Sequence, residues 1–155
     1  MRHLSFIFLI IVPELVFSQS IPNYEQIAFD YYRNTIVDKN SNKNKMTLWT
    51  EIKKEGYLQW YPGCLKNFDF NKTDEFIFNI SESSKIEIDA DDRFRIKKWG
   101  KGPYPRISVT TSFSNTENQH IVTIYEIHKH SGIIYYIELD GDGTIKDWCD
   151  GGWIE

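Results

Sequence analysis

From Tyr24 to Ile36 the positions Tyr24, Ile27, Ala28, Tyr31, Tyr32, Thr35 and Ile36 recur at three- and four-residue spacing, with Glu25, Gln26, Asp30 and Arg33 between them. This period predicts one amphipathic helix. Asn23 is placed to accept an orphan backbone N–H of its first turn, and the helix should stop near Asp38, where the polar stretch Lys39 to Lys45 begins. That stretch reads as a solvated loop. Beyond it the period shifts toward two. Met46 to Ile52 is ambiguous between a short helix and a strand, and Tyr57 to Tyr61 runs into a Pro62-Gly63 turn before Cys64. Glu75 to Ile80, Lys85 to Asp89 and Arg93 to Trp99 are strand candidates separated by short turns, and Gly100 to Pro105 is a loop.

Three longer strands follow. Ile107, Val109, Thr111 and Phe113 share a face of the first, Ile121, Thr123, Tyr125 and Ile127 of the second, and Ile133, Tyr135, Ile137 and Leu139 of the third. Val122, Ile124, Ile134 and Tyr136 interleave on the opposite faces, so the sheet should be partly covered on both sides. After the Asp140 to Gly143 turn comes a last segment, Thr144 to Cys149. With no helices visible for parallel crossovers, the expectation is an antiparallel meander and an α+β fold, one N-terminal helix on a curved sheet. This element order resembles NTF2-like and cystatin-like cone arrangements, in architecture alone. A lipocalin-like β-barrel is the competing architecture.

The N-terminus changes where such a domain would work. Met1, Arg2 and His3 precede the apolar run Leu4 to Val12, and Val16 and Ser18 supply small residues at the -3 and -1 positions of a cleavage site. A signal peptide over residues 1–18 is expected, cut after Ser18, leaving 19–155 as a single secreted or periplasmic domain. The run is too short to span a bilayer, so no integral membrane span is expected. In an oxidising compartment, Cys64 and Cys149 form the default disulfide, which on the loop-closure model would stabilise the fold by roughly 4 to 5 kcal/mol.

Composition narrows the partners. The 155 residues are 41% hydrophobic and 15% aromatic, enough to bury a core, and the net charge of -4 argues against a nucleic-acid partner. No arrangement of nucleophile, base and orienting group stands out, so no catalytic residue, cofactor or metal is assigned. Asp140-Gly141-Asp142-Gly143 looks like the middle of a calcium loop, but Glu138 and Cys149 occupy the end-ligand positions and a strand precedes it, so a hairpin turn is the stronger account. His128 and His130 would share one face of a strand, without an identifiable third ligand. Asn71 and Asn79 begin N-glycosylation sequons.

The aromatics are the remaining lead. A Cys64 to Cys149 bridge would draw Trp60 and Tyr61 toward Trp148 and Trp153, with Asp147 and Asp150 at the fringe, as a stacking platform for a sugar or peptide. The alternative is a set of aromatics buried around the disulfide. Two functions follow: a non-catalytic module binding a protein, peptide or glycan, or a small-molecule enzyme or carrier with Glu126 or Glu138 as a base in a pocket between helix and sheet.

Overall fold

The computed structural model describes residues 21–37, 45–54, 65–66, 77–78, 85–98, 100–115 and 117–154. The helix forms where the period places it. Helix α1 covers Tyr24–Tyr31, and the Asn23 side chain accepts the Gln26 N–H at 3.1 Å. Regular α-helix ends earlier than the pattern implies. Over Tyr32–Ile36 the chain widens into a π-helical turn, closed by the Val37 N–H donating to the Tyr32 carbonyl at 2.9 Å. Glu25, read from the sequence as part of the polar face, is instead buried. It shares a face with Phe29 and Tyr32, four and seven residues on.

Among the described residues eight strands make one mixed, open sheet: β1 (Met46–Lys53), β2 (Ile77–Phe78), β3 (Phe94–Lys97), β4 (Arg106–Thr110), β5 (Phe113–Ser114), β6 (Gln119–Ile127), β7 (Ser131–Asp140) and β8 (Ile145–Ile154). Strands β6, β7 and β8 are an antiparallel meander. The meander does not extend to the other half. β1 lies between β3 and β4 and is parallel to both, which corrects the expectation of a wholly antiparallel sheet. A helix proved unnecessary because the strands are short. The eight residues from Lys98 to Pro105 can span roughly 26 Å when extended, ample to return along a four-residue strand of about 13 Å.

Lys85 to Asp89 is a second departure. Its start alone meets β1, where Lys85 bridges to Glu51 and the Ile86 N–H donates to the Thr50 carbonyl at 2.7 Å. The segment is held by the helix: Gln26 accepts the Glu87 N–H at 2.8 Å and donates to the Glu87 carbonyl at 2.9 Å, so a side-chain amide replaces a strand neighbour. The stretch Tyr57 to Tyr61 and most of Glu75 to Ile80 lie outside the described residues.

Both sheet faces are covered, as the interleaved apolar residues require. Tyr24, Ala28, Phe29 and Tyr32 of the helical segment pack on Leu48, Ile107, Val109, Val122, Ile124 and Ile137. Leu65, Phe113, Ile121, Tyr125, Ile134 and Tyr136 form the core of the other face. Phe113 is therefore not on the face of Ile107 and Val109. Val109 pairs with Ile124 and Phe113 with Ile121, four residues against three, and this one-residue bulge reverses the side-chain alternation.

A carboxylate beneath the helix and an open shelf on β8

Strand β6 carries Glu126 to the helix-side face, beneath Tyr32. The Tyr32 hydroxyl donates to Glu126 Oε2 at 2.9 Å and the Tyr135 hydroxyl donates to the same oxygen at 3.2 Å. Oε1 lies 3.1 Å from His128 Nε2. Burial, then the Glu126 charge, pushes both phenols above their ordinary pKa, so they stay protonated donors. With one oxygen engaged by two hydroxyls, Glu126 anchors helix to sheet rather than serving as a free base.

Ile145 at the start of β8 packs against the helix-side core, and the exposed residues come farther along the strand. On that strand Trp148 pairs with Ile137, Asp150 with Tyr135 and Gly152 with Ile133, all on the helix-side face. Trp148 is 36% exposed and Asp150 is exposed. The Trp148 and Tyr135 ring centroids are 6.5 Å apart, inclined at 41°. An open groove of about 510 Å³ at the end of the sheet is lined by His128, Gly132, Ile133, Gly152, Trp153 and Ile154, and includes residues of the face opposite Trp148. An indole face beside a phenol, with a carboxylate acceptor two residues along the strand, can take the apolar face of a ring and a hydroxyl at its edge.

The platform expected from the sequence is divided. Trp153 pairs with Gly132, Cys149 with Tyr136 and Asp147 with Glu138, which puts these three on the face opposite Trp148 and Asp150. Ring contacts agree: Trp153 meets Tyr125 edge-on at 6.3 Å, while Trp148 meets Tyr135. Trp60, Tyr61 and Cys64 lie outside the described residues, and so does the proposed bridge; Cys149 is not a free thiol. Reading the last strand on to Ile154 would have revealed the division, because Trp148 and Trp153 differ in parity.

Other candidates resolve individually. Asp140 to Gly143 is the β7–β8 turn: Asp142 Oδ1 accepts the Thr144 N–H at 2.9 Å, Asp140 pairs with Lys146, and the Tyr24 hydroxyl donates to the Gly141 carbonyl at 2.7 Å. Strand β6 ends at Ile127, so strand alternation no longer aligns His128 with His130; His128 turns to Glu126 and His130 is exposed. Glu138 is buried on the face opposite the helix, and among the described residues neither carboxylate oxygen has a hydrogen-bond partner. Burial, then Asp147 and Asp140, raises its pKa. Among the described residues no three His, Cys, Asp or Glu side chains converge as for a metal, and no helix is long and apolar enough to cross a membrane.

Compared with known protein families, curated proteins and solved structures, the chain matches none.

Proposed function

We propose that the chain is an exported, non-catalytic binding domain whose ligand is a neutral glycan laid along β8. Exposed Trp148, set beside a Tyr135 ring that itself packs against Tyr32, carries this reading. Asp150 supplies a hydroxyl acceptor and Gly152 leaves the path along β8 clear. Export rests on the basic start, the apolar run Leu4 to Val12 and the small residues Val16 and Ser18. The Cys64 to Cys149 bridge belongs to the same proposal, as does a cone-like arrangement of helix on curved sheet in preference to a lipocalin-like barrel. A protein or peptide ligand would use the same shelf.

The alternative, a small-molecule site with Glu126 or Glu138 as base, has less support. Glu126 is held by two phenols, and Glu138 belongs to the other face. Screening the mature protein and its Trp148→Ala variant on immobilised neutral glycans tests the proposal. Binding by the wild type that the variant loses is the expected result; no binding, or equal binding by both, rejects it.

A further inference from the structure

We propose that the strap joining β3 to β4, together with β3 itself, is a second site that binds a linear sulfated polysaccharide. From Phe94 to Arg106 the chain carries Arg95, Lys97, Lys98, Lys101 and Arg106 and no Asp or Glu, in a protein of net charge -4. This run holds five of the 18 Lys and Arg with no acid among them, so the remainder carries a net charge of -9.

The fold turns this run into a fixed array. Arg95 and Arg106 flank Thr47 in one cross-strand row, about 10 Å apart, and Lys97 lies roughly 7 Å along β3 from Arg95 on the same face. The strap is pressed across that row. Thr47 donates its hydroxyl to the Pro103 carbonyl at 2.8 Å, and a Cβ on Gly102 would sit 2.8 Å from Thr47 Cγ2, so only glycine permits the approach. Lys101 is thereby carried over β1. Arg106 donates from Nε to the Gly102 carbonyl at 2.8 Å and stacks 4.1 Å from the Tyr104 ring centroid, while Lys97 donates to the Lys101 carbonyl at 2.9 Å. These partners are neutral. Among the described residues none of the five cations forms an ion pair, and the one carboxylate on the neighbouring strand is exposed Glu51.

The spacing selects the ligand. Cations spread over about 10 Å and facing solvent do not converge on one small anion, but they match successive charges of an extended polymer. A planar anionic bilayer would also meet the acidic remainder of the surface, whereas a narrow chain touches the strap alone. Permanently ionised sulfates suit Arg and Lys and release counterions on binding.

Affinity for dextran sulfate as a function of salt tests this, with neutral dextran and phosphatidylserine vesicles as the other arms. The wild type should bind dextran sulfate at low salt and ignore neutral dextran. Lys97→Gln with Lys101→Gln should weaken binding about tenfold or more and lower the salt slope by about 2. Lys66→Gln with Lys129→Gln, an equal charge change at exposed positions elsewhere, should leave the slope unchanged. Trp148→Ala should bind dextran sulfate normally, which separates this site from the β8 shelf. Failure of the wild type to bind, an equal loss in the Lys66 and Lys129 variant, or equally tight binding to the vesicles would overturn the proposal.

Discussion

Glu25 Oε1 accepts the backbone N–H of Ser112 at 2.7 Å, a buried contact between residues 87 positions apart. Ser112 sits in the bulge between β4 and β5, where the extra residue leaves its N–H outside the ladder. The helix therefore supplies the hydrogen bond that the sheet cannot. Glu25→Ala should orphan that N–H and destabilise the fold by roughly 2 to 4 kcal/mol, while Glu25→Gln, which keeps an acceptor, should cost less. Urea unfolding of the two variants checks the difference.

His120 is stacked on Tyr24, with centroids 3.7 Å apart, and burial lowers its pKa from 6.5 to about 4. The folded state thus resists a proton that the unfolded chain accepts. Stability from this group is complete above about pH 6.5 and falls as pH drops toward 4, by up to about 3 kcal/mol. Denaturant midpoints measured across that range should show the decline, and His120→Phe should flatten it.

Glu138 has the opposite sign. Its folded pKa is raised, so its contribution is greatest below the unfolded value of 4.5 and is lost as pH rises. Replacing it with Gln should raise the melting temperature at pH 7 and make little difference near pH 4. The two groups can thus be separated by comparing the pH profiles of single variants.

Gly132 lies under the Trp153 indole, where an added Cβ would fall 2.1 Å from a ring carbon. Gly132→Ala should displace that ring, costing about 1 to 3 kcal/mol and reshaping the groove beside His128. A shifted Trp153 indole resonance together with a lower melting temperature is the expected outcome.

How much of this was legible in the sequence depended on which interaction set each feature. The helix and its Asn23 cap follow from local period and local hydrogen bonding, and two-residue alternation located β6 and β7 but ran β4 and β5 together and stopped β8 at Cys149. Alternation names faces but not neighbours or strand direction, so the parallel placement of β1 between β3 and β4 was hidden. The bulge at Ser112 inverts the face of Phe113 through one residue that no composition marks. Glu25 carried a readable signal in its i, i+4, i+7 relation to Phe29 and Tyr32, although its charge suggested solvent. The bond of Glu126 to Tyr32 and Tyr135 depends on the register that brings three distant segments together.

The shelf reading is tested most directly by indole N–H resonances during titration with a neutral oligosaccharide that binds the wild type. The Trp148 resonance should shift on binding, while Trp153 responds little, because β8 turns them to opposite faces. A ligand that shifts Trp153 and leaves Trp148 unchanged would contradict the assignment of the β8 shelf as the binding site.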